Sequence, residues 1–241
     1  MEAAAVAAVE ALLLMVTVKT YLFFFLILPF TFFGSYCYFI PPSNWQIIDP
    51  KLLSEYVEMG FHDTEGTTEL FTPSVNLAKE PTKNSLARCV KDAKKEHTKD
   101  RRVTWRDLGP FSTKAGPAHL TEIITTNRFG KIRMWQLIFV KNQTAYYLTG
   151  AASEKTFPQM RNTFVKTFQS LSYTEDLLQE ITDPTTREKL KDAYVSVLDE
   201  KVGSKPWKKF EKLFTKQSDH LGPYWQYLFL KNYRNNLKTP Q

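Results

Sequence analysis

This 241-residue chain has only two cysteines and nine glycines. Cys37 lies in an apolar run and Cys89 in a charged stretch, so the fold does not depend on a disulfide framework. No Cys-x-x-Cys zinc or redox motif occurs. The few glycines form neither G-x-x-x-x-G-K nor G-x-G-x-x-G, which excludes the common phosphate-binding loops.

Histidine is equally scarce, and the four histidines lie far apart at His62, His97, His119 and His220. They show neither H-E-x-x-H nor H-x-H spacing, so no metal site is indicated. The G-x-S-x-G elbow of serine hydrolases is also absent. We therefore predict no catalytic residue and no cofactor. We expect a non-catalytic binding or assembly module, with an exported enzyme of unknown reaction as the alternative.

Charge is missing from one long segment near the beginning of the chain, between Lys19 and Asp49. Within it, Tyr21–Ile40 is a twenty-residue apolar run without a polar face. Twenty helical residues span about 30 Å, the thickness of a bilayer core, so we predict a transmembrane helix. The predicted membrane-spanning residues include Tyr21, Phe25, Pro29, Phe33 and Ile40.

Lys19 is the nearest preceding cation and sets the expected orientation. The positive-inside rule places the N-terminus in the cytoplasm and the large C-terminal part outside it, in the periplasm if the cell is bacterial. A cleaved signal peptide is the first alternative, although the aromatic residues near Phe33 and Tyr36 suit a cleavage site poorly. Lipidation at Cys37 is the second alternative. The translation start is Met1 or Met15.

Helical and extended patterns follow the apolar run. Asp49 and Pro50 are typical of an N-cap and a first helical position, which predicts a helix over residues 51–60. Residues 69–77 predict an extended segment, with Pro73 marking a bend or a sheet edge.

Residues 84–102 predict an amphipathic surface helix. Its packing side holds Leu86, Cys89, Val90, Ala93 and His97, with lysines elsewhere. A catalytic Cys–His pair needs a third group that orients the histidine, and the sequence indicates no such group for Cys89 and His97. We therefore interpret Cys89 as structural and not nucleophilic.

Alternating apolar residues then predict four strands, over 101–111, 118–127, 131–141 and 144–152. In the third strand, one face carries Ile132, Met134, Gln136, Ile138 and Val140. The fourth strand leads into a core-facing helix, for which Thr156 and Gln159 show the spacing of a capping box. The apolar stripe of this helix is Phe157, Met160, Phe164, Phe168 and Leu171.

The order of these elements over about residues 43–172 resembles the PsbP/DcrB-like family. The resemblance rests on "FTPSVNL", "LGPFSTKAGPAHLTEIITT", "GKIRMWQLIFVKNQTAYYLTGAA" and "FPQMRNTFVKTFQSLS". Its most family-like piece is Tyr-x-x-Thr-Gly followed by a Phe-rich helix. The resemblance implies an exported, membrane-associated accessory, assembly or binding protein. It implies no shared catalytic residues, and no functional residue of the family has a matching motif here.

We expect an α+β fold, with an antiparallel sheet flanked by helices. One transmembrane helix precedes this domain, and a helical C-terminal extension follows it. The predicted layout is a leader and membrane anchor or signal over 1–42, the PsbP/DcrB-like domain over 43–172 and a basic extension over 173–241.

Helices in the extension are predicted to start at Asp183 and Ser204, with a break at Gly222. Residues 201–241 hold nine Lys/Arg and two Asp/Glu, and this excess of +7 equals the net charge of the whole chain. An amphipathic basic helix can lie on an anionic membrane surface. The candidate membrane-surface or partner-binding residues are Lys205, Trp207, Lys208, Lys209, Lys212 and Lys216.

The expected partners of this helix are the membrane, anionic lipid or an acidic protein. The simpler alternative is a solvated lysine face over a packed aromatic one. Nucleic acid is not expected, because a membrane anchor separates the domain from it.

Overall fold

The computed structural model describes residues 35–65, 71–197, 200 and 203–236. The chain divides into two compact units. Within the described part, the first unit holds residues 41–171, and the second holds residues 35–40 together with those from 172 onward.

The described strands, in chain order, are β1 (Tyr36–Tyr38), β2 (Gln46–Ile47), β3 (Val57–His62), β4 (Ser74–Pro81), β5 (Thr104–Thr113), β6 (Gly116–Asn127), β7 (Gly130–Lys141), β8 (Thr144–Ser153) and β9 (Ser172–Thr174). The α-helices are α1 (Leu86–His97), α2 (Phe157–Gln169), α3 (Pro184–Val195), α4 (Lys205–Ser218) and α5 (Gly222–Asn236). Short 3-10 turns occur at Pro50–Leu52, Leu177–Glu180 and Asp219–Leu221.

In the first unit, seven described strands form one antiparallel sheet in the order β2-β3-β4-β8-β7-β6-β5. Strands β5 to β8 form a meander, and the β7–β8 turn places Asn142 and Gln143 at φ values of 46° and 57°. Such left-handed pairs are typical of tight hairpins. The predicted antiparallel sheet with flanking helices is confirmed.

Helix α2 covers one face of this sheet, here called the α2 face. Its residues Phe157, Phe164, Phe168 and the following Leu171 are fully buried, as the apolar stripe predicts, whereas Met160 is half-buried. Phe164 packs directly onto Gly150 of β8. A Cβ atom at position 150 would lie 2.6 Å from Cδ1 of Phe164, closer than atoms in contact can approach.

The predicted capping box at the start of α2 is wrong. Thr156 makes no side-chain cap bond to the helix. The Thr156 hydroxyl instead lies 2.8 Å from Oγ of Ser153. Oγ of Ser153 also accepts a hydrogen bond from the Thr156 amide. Ser153, the last residue of β8, therefore engages the hydroxyl that a capping box would need.

Helix α1 lies between β4 and β5 in the chain. It packs on the opposite face of the sheet, here called the α1 face. Oγ of Ser85 caps it by accepting a hydrogen bond from the Arg88 amide. Cys89 and Val90 are buried against Ile138 and Ala145, which confirms the predicted packing side. Burial also raises the pKa of the Cys89 thiol.

Cys89 and His97 do not form a catalytic pair. They are eight residues apart on one helix, which separates them by about 12 Å along its axis. The Cys89 sulfur lies instead 3.9 Å from the hydroxyl of Thr82.

In the second unit, β1 pairs with β9 in antiparallel register. Tyr38 of β1 is buried and donates a hydrogen bond of 2.7 Å to Glu180. Burial, helped by this carboxylate, raises the pKa of the tyrosine. The helices of this unit share an aromatic core, which contains Tyr194, Phe210, Phe214, Trp225 and Phe229.

This arrangement corrects the C-terminal end of the predicted transmembrane helix. Tyr36–Tyr38 is a strand, and Ile40 follows it in a half-buried, non-helical position. Aromatic side chains suit a pleated strand, and Tyr38 and the following Phe39 are buried within the protein. Cys37, the considered lipidation site, is likewise buried in the strand. The other predicted membrane-spanning residues, Tyr21, Phe25, Pro29 and Phe33, lie outside the described residues. Within the described ranges, no helix is both long and apolar enough to cross a bilayer.

The predicted helix over 51–60 is also corrected. Asp49 does cap a turn, accepting a 2.9 Å hydrogen bond from the Lys51 amide, but the turn ends at Leu52. Val57–His62 then forms β3. Pairing with a strand on each side and burial of Met59 and Phe61 outweigh the local helical signal.

We predict that Gly150→Ala lowers the free energy of unfolding by about 1–3 kcal/mol, because the added methyl group forces the Phe164 ring out of its packed position. Urea unfolding curves measure the change. Phe164→Leu supplies the control, since it removes part of the ring that the methyl group meets. The double variant should be more stable than the sum of the two single effects implies. Strict additivity would contradict the proposed clash.

We predict that Cys89→Ala lowers the free energy of unfolding by about 1 kcal/mol, as expected for removal of one buried heavy atom. The native thiol should react slowly with iodoacetamide at neutral pH, because it is buried and its pKa is raised. Mass spectrometry of Cys37→Ala protein isolates the reaction at position 89. Stoichiometric labelling within minutes, without denaturant, would show that this interpretation of Cys89 is wrong.

Candidate functional site

A cavity of about 280 Å³ lies in the first unit, between the C-terminal half of α1 and strands β3, β4, β7 and β8. Its position follows from the width of the sheet relative to the width of helix α1. Seven strands at a spacing of about 4.8 Å make a sheet roughly 29 Å wide, whereas a helix with its side chains is about 10–12 Å wide. Helix α1 packs mainly over β6 and β7, so a cleft remains beside it toward β3 and β4.

A row of polar side chains crosses the α1 face at the level of this cavity. Asn76 of β4 pairs with Thr149 of β8, Thr149 pairs with Gln136 of β7, and Gln136 pairs with Thr121 of β6. Directly paired residues project to the same face of a sheet. All four are more than nine-tenths buried, and the first three line the cavity.

Two atoms of this row have no hydrogen-bond partner within the described protein, namely Nδ2 of Asn76 and Oε1 of Gln136. The side chain of Gln136 also interacts with His97. Burial lowers the pKa of His97, and this interaction with Gln136 opposes the change only in part. The imidazole is therefore neutral at physiological pH. By contrast, Thr121 is satisfied, because its hydroxyl donates to the backbone carbonyl of Gln136 at 3.2 Å.

Acidic side chains surround these polar groups. Glu80, Asp92 and Glu96 border the cavity, and Glu80 accepts a hydrogen bond from the hydroxyl of Tyr147. Burial, together with Glu80, raises the pKa of Tyr147, so the phenol stays neutral. Lys79 also borders the cavity, but its ammonium lies 3.1 Å from the Glu58 carboxylate. Arg88 pairs with Asp92 at 3.1 Å and Lys99 pairs with Glu96, so the lining is acidic but two of its carboxylates are partly neutralised from outside it.

The second candidate surface is the lysine face of α4, defined by Lys205, Lys208, Lys209, Lys212 and Lys216. All five lysines are exposed. At 100° per residue, they fall within about 100° of arc around the helix axis. Phe210 and Phe214 lie on the opposite side and are buried, while Trp207 is half-buried and packs against Phe210 at 5.6 Å between ring centres.

Glu122 is the most deeply buried carboxylate among the described ion pairs, but its role is structural. It accepts hydrogen bonds from Arg133 and from the indole of Trp135, and it pairs with Arg106 at 2.7 Å. A carboxylate whose lone pairs are occupied in this way has little capacity for a ligand. Within the described ranges, no cluster of His, Cys, Asp and Glu side chains is suited to a metal ion.

Sequence reasoning placed Gln136 on the correct face of its strand but did not identify the cavity. The usable signal was one polar residue at a core position in each of four strands, such as Asn76 in "SVNL". Recognising the row requires the pairing register, which joins residues as distant as Asn76 and Thr149.

Comparison with known proteins gives likenesses in structure only. No family model matches the chain, and no curated protein matches it. Solved structures that resemble it include LpqN of Mycobacterium tuberculosis, involved in cell envelope biogenesis, with 10% identity, a TM-score of 0.45 and coverage of 58% of this chain and 84% of that one. Another is PA94 of Pseudomonas aeruginosa, a protein of unknown function, with 11% identity, a TM-score of 0.41 and coverage of 54% and 86%.

A cyanobacterial PsbP from Synechocystis is also among these structures. It has 13% identity and a TM-score of 0.38, and the match covers 61% of this chain and 96% of that one. The resemblance to PsbP-like proteins that the order of elements predicts is thus found again, as a weak likeness in structure.

Proposed function

We propose that this chain is a non-catalytic accessory or binding module of an exported protein, and that it docks on an anionic surface through the lysine face of α4. The observation that carries the proposal is the separation of charge and apolar surface on this helix. Its aromatic side is buried in the second unit, and all five lysines of the face are exposed.

The packing of α4 determines how it would bind. An interfacial helix normally inserts its apolar face into the lipid boundary. Here Phe210 and Phe214 are already buried, so attraction by the lysines has to supply the binding. Each lysine near an anionic surface contributes about 1 kcal/mol, and the attraction decays over about 10 Å at moderate salt. Glu211, the acidic residue of α4, projects outside the arc of the lysines.

The export part of the proposal rests on the uncharged segment that precedes β1. With Tyr36–Ile40 assigned to the second unit, this segment covers residues 20–35, sixteen residues. As a helix it would measure about 24 Å, against about 30 Å for a bilayer core. It is close to the apolar length of a signal peptide, which is about 7–15 residues. A retained anchor would need apolar residues upstream of Lys19 as well.

We predict that the lysine face directs binding to anionic vesicles. The test uses a fragment that begins at Ser35, so that β1 keeps its pairing with β9, and vesicles of either neutral or anionic lipid. Co-sedimentation should require anionic lipid, and it should weaken as salt is raised because the attraction is screened. Replacing the five lysines of the face with glutamine should abolish it.

The matched control replaces five exposed lysines outside α4 with glutamine, namely Lys51, Lys83, Lys91, Lys95 and Lys114. This control lowers the net charge by the same amount but keeps the lysine face of α4 intact. It should therefore bind anionic vesicles more tightly than the α4 variant. Equal loss of vesicle binding in both variants would show that net charge alone, and not the lysine face, determines binding. Failure of the parent fragment to bind anionic vesicles at low salt would contradict docking on lipid.

We predict that any proteolytic maturation in the native cell cuts before Tyr36, because a later cut would remove strand β1 and expose the partner strand β9. Intact-mass measurement of the accumulated protein locates the new N-terminus, and carbonate extraction separates a retained anchor from a released chain. A mature protein that begins after Tyr38 would contradict the structural role of β1. Exclusively cytosolic, full-length protein would contradict export.

A further inference from the structure

We propose that the cavity beneath α1 binds a small organic molecule, neutral or positively charged, that carries hydrogen-bonding amide or amine groups. This site is distinct from the lysine face of α4, and its partner belongs to another chemical class. The proposal rests on the floor of the cavity, its acidic border and its size.

The floor presents two unused hydrogen-bonding atoms. Nδ2 of Asn76 is a donor and Oε1 of Gln136 is an acceptor, and both residues are more than nine-tenths buried. A buried polar group without a partner destabilises a fold unless water or a ligand supplies the missing hydrogen bond. Their strands are separated only by β8, about 10 Å in total. A ligand several atoms long, with a carbonyl toward Asn76 and an N–H toward Gln136, would satisfy both.

The border of the cavity selects the charge of the ligand. The lining holds the three carboxylates of Glu80, Asp92 and Glu96 and the ammonium of Lys79. Lys79 pairs with Glu58, and from outside the lining Arg88 pairs with Asp92 and Lys99 with Glu96. The excess of carboxylates in the lining would repel an anionic ligand. An ammonium group would be attracted most strongly near Glu80, since Asp92 and Glu96 are already partly neutralised, and a neutral amide would be tolerated.

The size and walls of the cavity limit the ligand to a compact molecule. A volume of about 280 Å³ lies just below the range for small-molecule sites, about 300–1,000 Å³. Val57, Ala78, Ala93 and the ring of Tyr147 supply apolar contact. A single amino-acid derivative with one apolar side chain suits this combination of polar floor and apolar wall.

The experiment uses three probes that share one side chain and differ in charge. They are phenylalanine amide, which is cationic, N-acetylphenylalanine amide, which is neutral, and N-acetylphenylalanine, which is anionic. Each is titrated into the ¹⁵N-labelled protein in the form the cell accumulates. The side-chain amide signals of Asn76 and Gln136 should shift with the first two probes, and the anionic probe should leave them in place.

Two variants separate binding from folding. Gln136→Leu removes the unpartnered acceptor, so it should weaken binding about tenfold, equivalent to about one hydrogen bond, while the urea midpoint stays the same or rises. The control, Thr121→Val, alters the same polar row outside the cavity. It should lower the urea midpoint, since the hydrogen bond from the Thr121 hydroxyl to the backbone carbonyl of Gln136 is lost, and it should leave probe affinity unchanged.

Three outcomes would overturn the proposal. One is the absence of shifts with all three probes at millimolar concentration, which would assign the polar row to hydration alone. Another is stronger binding of the anionic probe than of the cationic one. The third is a marked loss of stability in Gln136→Leu with unchanged probe affinity, which would make the glutamine a structural residue.

Discussion

The width of the sheet relative to the helix that crosses it is the constraint on which the first unit depends. Seven described strands present a face that α1, with twelve residues, covers only in part. Where α1 packs, the face is apolar and closed around residues such as Val90 and Ile138. Beside it, the paired polar residues of β4, β8 and β7 form the floor of a cavity. One geometric mismatch therefore produces both a core and a candidate binding site.

Two neighbouring residues of β8 show how one strand serves both faces. Thr149 projects to the α1 face and joins the polar row, while Gly150 lies beneath the ring of Phe164 on the α2 face. Successive residues in a strand point to opposite sides, so adjacent positions can meet unrelated requirements. This accounts physically for the Thr-Gly pair in "YYLTG". One residue faces a polar cavity, and the other leaves room for an aromatic ring.

The two candidate surfaces carry opposite charge and would select different partners. The border of the cavity is acidic, which disfavours anions, whereas the lysine face of α4 attracts them. The aromatic core of the second unit fixes which side of α4 is exposed, since Phe210 and Phe214 pack into the stack that contains Trp225 and Phe229. In each unit, apolar packing thus determines where polar groups meet a partner.

Local pattern alone was sufficient for the meander β5–β8, for the apolar stripe of α2 and for the helix starts at Asp183 and Ser204. In these elements the apolar periodicity and the turn residues favour one structure, so tertiary context has nothing to override. The lysine excess of the C-terminal segment is likewise a property of composition.

Tertiary structure decided the elements whose local signals were weak or misleading. Residues 57–62 became a strand because strands on both sides pair with them, and Tyr36–Tyr38 became a strand because β9 lies beside it. The cavity depends on the same kind of long-range pairing, which aligns Asn76 with Thr149 and Gln136. Composition and periodicity act over a few residues, but pairing register joins distant segments, and for this reason only the folded chain could reveal the site.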